Sequence, residues 1–247
     1  MNEIEQLFLD ILCEPGKTAV DIGANIGDYT KLLLRNNNFV FAYEPIPELY
    51  EKLKSDFKMN AVIKNLAMSD CVGKSLINIP IIDNQPCYPL ASCCQDYKTR
   101  YPTKTIEINT TTLDNEKISD IGLIKIDVEG FEQEVIKGGI ECIKQYLPNI
   151  IIEMAEVHRI NTIERTSRYL REIGYVGFSI DILNNTIKKF NCTQAKTMQI
   201  EYSEGKYPFY INNFIFVAKD RYGYFADEFE RKYGRIKIWK RLINLNT

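Results

Sequence analysis

The sequence predicts an α/β fold in which an open, mostly parallel sheet carries helices on both faces. Three observations point there. Thr18 to Ile22 is an apolar run that leads straight into two glycines four apart, Gly23 and Gly27, and then into helical spacing from Tyr29 to Leu34. Phe39 to Tyr43, Ile121 to Ile126 and Asn149 to Ile152 are further runs of strand length, rich in apolar residues throughout, as strands covered on both faces are. The segments between them set apolar residues at helical intervals.

Ahead of the first strand, Ile4, Leu7, Phe8, Ile11 and Leu12 form a helical stripe that Pro15-Gly16 ends. The first strand and its turn, Val20-Asp21-Ile22-Gly23-Ala24-Asn25-Ile26-Gly27, make a candidate nucleotide-like site. Glycine lets the backbone approach a ligand closely, and the free N–H groups that open a helix favour a negative group there. The turn departs from the dinucleotide fingerprint G-x-G-x-x-G, because Asn25 and Asp28 stand where the second and third glycines belong. A pyrophosphate needs glycine at its closest approach and is repelled by an aspartate at the helix start. The departure favours a ligand without a pyrophosphate. S-adenosylmethionine fits, its amino-acid end held by the turn and Asp21, and a β-α turn that binds nothing is the plain alternative.

The second strand ends in Glu44-Pro45. Glu44 lies at a carboxyl end of the sheet, roughly 20 residues beyond the glycine turn, where an acidic side chain accepts hydrogen bonds from a ribose 2′-hydroxyl. A surface glutamate before a helix looks the same. Pro47 to Met59 reads as a helix with proline in its first turn, and Ala61 to Ile63 as a short strand. Ser75 to Ile79 and Thr105 to Thr111 alternate like two strands of a hairpin. Between them Ile82 to Pro102 is irregular, with three prolines, Cys87 and the adjacent pair Cys93-Cys94. A loop of that length in a compact domain reads as a lid over a substrate.

After the buried strand Ile121 to Ile126, Asp127 caps the carboxyl end, and Glu129, Glu132 and Glu134 crowd the start of the next helix. Acidic residues at a helix N-terminus stabilise it by ~0.3–1 kcal/mol each, which accounts for Glu132 and Glu134 without function. Asp127 and Glu129 stand where open α/β sheets bind their ligands. Pro148 to Met154 is a further strand ending at Glu153, and the only histidine, His158, follows. Thr162 to Ile173 is a helix stopped by Gly174. Tyr175 to Ile180 and Phe209 to Val217 read as an antiparallel pair joined by a polar connection. From Arg221 onward seven Lys and Arg face three Asp and Glu, with Tyr224, Phe225, Phe229, Ile236, Ile238 and Trp239 among them. This basic, amphipathic tail suits packing on the domain or a homodimer contact better than a membrane surface.

The 247 residues, 45% of them hydrophobic, are enough to bury one full core and are read as a single domain. A net charge of -2 and a pI near 5.7 give no general basic field for nucleic acid. Seven cysteines without a CxxC pair indicate neither a disulfide framework nor a structural zinc site. No basic leader and no apolar run of membrane-spanning length is present. The expectation is a soluble, cytoplasmic protein.

Several stretches together resemble the FkbM-type family of S-adenosylmethionine-dependent methyltransferases. They are Val20 to Gly27, Tyr43-Glu44-Pro45, Ala67-Met68-Ser69-Asp70, Thr111-Thr112-Leu113-Asp114 and Lys125-Ile126-Asp127-Val128-Glu129-Gly130 with Glu132. The resemblance covers roughly Thr18 to Glu153 and is most specific in the last stretch. It implies a class I methyltransferase, Rossmann-like fold with a seven-stranded, mostly parallel sheet and one antiparallel edge strand. It also implies that Asp21, Gly23, Ala24, Asn25 and Gly27 surround the methionine part of the cofactor. Glu44 would hold the ribose, Leu66-Ala67 would border the adenine, and Asp127 would lie beside the sulfonium. Family members are mostly O-methyltransferases acting on sugars and hydroxylated natural products.

Transfer of a methyl group from a sulfonium asks the protein to align the acceptor, exclude water and remove a proton. An alcohol holds its proton tightly, so a base within reach is useful. The candidates are Asp127, Glu129, Glu153 and His158, of which Glu129 is best placed by analogy and His158 titrates nearest neutrality. Asp127, Glu129 and Glu153 also offer oxygen ligands for a magnesium ion, although no metal is assigned. The reading is an O-methyltransferase for a small hydroxylated acceptor such as a saccharide, glycolipid or natural product. The alternatives are a catalytically silent binding module, a nucleic-acid methyltransferase and a nicotinamide-dependent oxidoreductase.

Overall fold

The computed structural model describes residues 8–36, 39–95, 100–181, 186–206 and 210–232. Its strands in chain order are β1 (Thr18–Ile22), β2 (Phe39–Tyr43), β3 (Val62–Lys64), β4 (Ala67–Met68), β5 (Gly73–Ile82), β6 (Gln85–Pro86), β7 (Thr103–Thr111), β8 (Ile121–Ile126), β9 (Asn149–Glu153), β10 (Tyr175–Asp181), β11 (Thr186–Lys189) and β12 (Asn213–Ala218). The helices are α1 (Leu9–Leu12), α2 (Asp28–Arg35), α3 (Pro47–Phe57), α4 (Glu132–Gly138), α5 (Ile140–Tyr146), α6 (Thr162–Glu172) and α7 (Cys192–Ser203).

The main sheet has the order β11-β10-β12-β9-β8-β1-β2-β3. Strands β9, β8, β1, β2 and β3 are parallel. β12 runs against both of its neighbours, and β11 runs against β10. The expected antiparallel edge strand is thus β11, a second antiparallel strand lies inside the sheet, and the strands number eight instead of seven. The central strands β1, β8, β9 and β12 are buried at every position, because helices cover both faces. Ile22, Ile124, Ile126, Ile150 and Ile152 pack with Val135, Ile143, Ile163 and Leu170 from α4, α5 and α6 on one face. Ala19, Leu123, Ile151 and Val217 pack with Leu12, Tyr29 and Leu33 from α1 and α2 on the other. The alternation of partners along each strand is the two-residue period of the pleat.

A second sheet, β4-β7-β5-β6, leans on the start of α3, where Ile46 and Leu49 meet Ile77, Ile79 and Ile108. Its long pair β5 and β7 is antiparallel, as the alternation in the sequence predicts. The segment read as a lid is partly ordered by pairing. β5 runs on to Ile82, β6 turns back against it, and Asn78 and Ser92 form a backbone bridge. Within it, residues 96–99 lie outside the described residues.

Two other expectations change, and a third has one of its alternatives observed. The first helix is seen as α1 alone, since the part before residue 8 lies outside the described residues. The connection between β10 and β12 is not merely polar chain, for it contains β11 and α7, and β12 begins at Asn213, while the expected start, Phe209, lies outside the described residues. α7 docks through Cys192, Ala195 and Met198, too short an apolar row to stand out in a periodicity search, together with a buried amide. The buried Gln199 side chain donates to the Met154 and Ile211 carbonyls at 2.8 and 2.9 Å and accepts from the Glu156 N–H at 3.0 Å. The third concerns the basic tail, whose first part, residues 222–232, is helical and packs on its own domain. There Phe225 sits 4.8 Å from Phe178 and Phe229 sits 5.0 Å from Phe8, ring centre to ring centre. Arg221 pairs with Glu14 and Lys232 with Asp10. Residues 233–247 lie outside the described residues. Among the described residues no helix is long and apolar enough to cross a membrane.

Phe225 is 3% exposed. Phe225→Ala is therefore expected to cost ~3–5 kcal/mol of unfolding free energy in urea titrations, independent of protein concentration. A cost that vanishes on dilution would assign the tail to a dimer contact.

Candidate active site

β1 and β8 are adjacent and parallel, but the helices after them leave to opposite faces, α2 to one and α4 to the other. The sheet edge opens between them, which is where open α/β sheets bind ligands. The turn after β1 is shaped by Gly23 (φ 79°), Asn25 (φ 49°) and Gly27 (φ 92°), all left-handed. A Cβ on Gly23 would collide with the backbone carbonyl of Asp127, and the Asp127 N–H donates to the Ile22 carbonyl at 3.0 Å. Glycine is required there so that the ends of β1 and β8 meet.

The turn also aims a donor at the next strand. The Asn25 N–H donates to Glu44 Oε2 and the Ile46 N–H to Glu44 Oε1, both at 2.9 Å. Each carboxylate oxygen keeps a lone pair for a ligand. Glu44 is 4% exposed, and burial pushes its carboxyl up to about 7 although the two N–H groups favour the charge. Burial likewise pushes Asp21 up to about 6, opposed by the Thr30 hydroxyl at 2.6 Å and by Lys125.

Two cavities meet at this edge. One, of about 290 Å³, is lined by Gly23, Asn25, Glu44, Leu66, Ala67, Asp127, Glu129 and Glu153, with Tyr88, Pro89, Ala91 and Cys93 from the segment before residue 96. The other, of about 330 Å³, is lined by Asp21, Gly23, Ala24, Asn25, Asp28, Lys125 and Asp127. Gly23, Asn25, Leu49, Tyr88, Pro89 and Asp127 border both.

The far wall comes from the turns after β8 and β9. Glu129 is held in the left-handed region (φ 52°), an arrangement that costs energy for a residue with a side chain, and Gly130 follows at φ 103°. Glu132 braces the turn. Its buried carboxylate accepts from the Gly130 N–H at 2.7 Å and from the Thr162 hydroxyl at 3.0 Å, and burial pushes it up to about 7. Glu132 stands in the first turn of α4, as the helix-dipole account requires, and its side chain also points inward at the turn. His158 Nε2 lies 2.8 Å from Glu129 Oε2. Burial opposes the imidazolium, yet the Glu129 carboxylate outweighs it and raises the His158 pKa, while burial raises that of Glu129. Glu153 receives a hydrogen bond from the Asn212 amide.

Most of the sequence candidates thus converge on one edge, with two exceptions. Gly27 lines neither cavity, and the space a side chain would take is filled by Leu53 and Phe57 of α3. His158 also lines neither and stands behind Glu129. The donor atoms of Glu129, Glu153 and His158 lie within 4.8 Å of one another, a different trio from the three carboxylates considered for magnesium. Sequence reasoning missed Lys125. Its side chain is 1% exposed, with Nζ 3.5 Å from Asp127 Oδ2 and 4.8 Å from the centre of the Tyr29 ring. A lysine inside an apolar strand was the available signal, since lysine is almost never fully buried without a partner. Ser92 and Gln95 carried no signal at all.

A family model, the methyltransferase FkbM domain, matches residues 21–176. The chain belongs to the FkbM methyltransferase family. Among solved structures it is similar to the methyltransferase FkbM of Methylobacillus flagellatus KT, with a TM-score of 0.54 and 15% identity. That match covers 87% of this chain and 47% of the other, so the chain spans about half the length of that relative. An O-methyltransferase from Bacillus cereus in complex with SAH matches at a TM-score of 0.44 and 11% identity, over 87% of this chain and 78% of the other. No curated protein sequence matches. The FkbM domain match takes in both turns of the site and ends within β10, before β11, α7 and β12.

In this FkbM protein Asp21, Glu44, Glu129, Glu132 and His158 all hold their protons more tightly than ordinary side chains do. A folded-state pKa above the unfolded one adds stability at low pH that disappears as pH rises through the folded value. For Glu44 that interval runs from its ordinary 4.5 to about 7. The unfolding free energy of the ligand-free protein is expected to fall as pH rises across that interval, measured by urea titration at several pH values. A free energy that rises steadily over it would contradict the burial assigned to these groups.

Proposed function

We propose that the chain transfers a methyl group from S-adenosylmethionine to a hydroxyl oxygen of a small, uncharged acceptor, a saccharide, glycolipid or natural product. The observation that carries this is the charge of the edge. The carboxylates of Asp21, Asp28, Glu44, Asp127, Glu129 and Glu153 line the two cavities, against one buried lysine. Such a donor set suits a molecule with a sulfonium, an ammonium and ribose hydroxyls, and it repels phosphate-bearing acceptors and nucleic acid.

Glu44, aligned by the Asn25 and Ile46 N–H groups, would accept from the ribose hydroxyls. Leu66 and Ala67 would border the adenine, and Asp21, Gly23, Ala24, Asn25 and Asp127 would hold the methionine part. When bound, S-adenosylmethionine supplies a methyl group already activated by its sulfonium. The chain's remaining work is to orient the acceptor, exclude water through the Tyr88 to Cys93 wall and take up the hydroxyl proton. Glu129 lines the cavity and His158 backs it, so Glu129 takes the proton and, when the imidazole is neutral, shares it with His158.

Two measurements test this reading. Calorimetry with S-adenosylhomocysteine is expected to show Glu44→Ala binding ~10- to 100-fold more weakly, the worth of charge-assisted hydrogen bonds of ~1.5–3 kcal/mol. Unchanged affinity would remove Glu44 from the site. In a screen of neutral hydroxylated acceptors, the rate is expected to rise with pH through the raised pKa of the Glu129–His158 pair. Glu129→Gln should move that limb to lower pH and slow transfer by ~10²–10⁴-fold. A rate indifferent to Glu129→Gln would end its role as proton acceptor.

A further inference from the structure

The short segment from Ser92 to Gln95 belongs to no motif, yet it touches both halves of the Glu129–His158 pair. Ser92 is 1% exposed, and its hydroxyl donates to the Glu129 carbonyl at 2.6 Å. The same oxygen accepts from the Cys94 and Gln95 N–H groups at 3.0 and 3.2 Å, which uses its full hydrogen-bonding capacity. Cys94 Sγ lies 3.3 Å from the Gly130 carbonyl. On the other side, the Gln95 amide donates to the carbonyls of Val157, at 2.6 Å, and of His158. The segment is itself fixed to β5 by the Asn78–Ser92 backbone bridge and by the Asn78 amide, which donates to the Gln95 carbonyl at 2.9 Å.

We propose that Ser92 and Gln95 are positioning residues that hold Glu129 against His158. This rests on the reading of that pair as the proton acceptor. Glu129 and His158 stand on separate turns, after β8 and after β9, and their side chains meet only if both turns keep their place. Arg159 supplies one tie from within the second turn, through Nη1 to the Gly130 carbonyl at 3.3 Å and to both oxygens of Glu134 at 2.9 Å. The strap supplies the other, gripping the carbonyl of Glu129 itself and that of His158 itself. Glu129 needs this grip because its left-handed backbone is a conformation that the surroundings must impose. The strap is also continuous with Ala91 and Cys93 of the cavity wall, so wall and pair are built from one piece of chain.

His158 is the only histidine in the sequence, so its ring proton resonance is identified without assignment. Titrating it by NMR in the full-length protein reads the contact with Glu129 directly, among the charges of Asp127, Glu129 and Glu132 that face it. Ser92→Ala and Gln95→Ala are each expected to move the midpoint down toward that of an ordinary imidazole, with S-adenosylhomocysteine affinity unchanged as the check on folding. Gln95 lies partly exposed, so its variant guards against a Ser92→Ala protein that does not fold. Glu129→Gln is the reference and should give the largest fall. If Glu129→Gln lowers the midpoint while both strap variants keep it, the positioning role is overturned and the pair stands. Failure of the catalytic reading shows separately, in the rate limb of Glu129→Gln, which the titration does not use.

Discussion

The close approach of the turn after β1 to the end of β8 is the constraint on which the site depends. Gly23 leaves no room for a side chain against the Asp127 carbonyl, and the Asp127 N–H closes on Ile22. With those two ends in contact, the helices that follow must diverge to opposite faces. The gap they leave is the cavity edge. The candidate site is arranged around that contact: the N–H groups that aim Glu44, the buried Lys125, and the turn of Glu129.

A cost in stability accompanies this arrangement. Buried carboxylates at Asp21, Glu44 and Glu132 would be more stable protonated, and Glu129 is kept in a strained backbone region next to a buried histidine. Residues chosen for packing alone would avoid all of these. The surrounding core is apolar and continuous on both faces of the sheet, and it absorbs the penalty. Carboxylates gathered at the edge of a cavity suit a positively charged reactant, and the same groups whose burial weakens the empty protein face the space that would hold one.

The parts of the fold legible in the sequence are those with short-range signatures. Continuous apolar runs marked β1, β2, β8 and β9, and the β5–β7 alternation marked the second sheet. Asp21, Glu44, Asp127, Glu129 and Glu153 were all visible as acids at strand ends. What stayed hidden was held by long-range contacts. Gln199 ties α7 to the Met154 and Ile211 carbonyls, β11 extends the sheet by an edge, and the aromatics of the 222–232 helix find partners more than 40 positions away. No local period records such partners.

The sequence by itself determined the open α/β architecture, the methyltransferase family and the set of acids at the carboxyl edge, because strand burial and turn chemistry are written in neighbouring residues. Tertiary structure alone decided which of those acids work together. It set Leu53 and Phe57 of α3 against Gly27, turned Glu132 inward as a brace, and placed His158 behind Glu129. It also brought Ser92 and Gln95, far upstream in the chain, onto both turns of the pair. The reason is physical: side-chain roles at this site depend on distances between chain segments dozens of residues apart, and those distances exist only once the sheet has closed around β1 and β8.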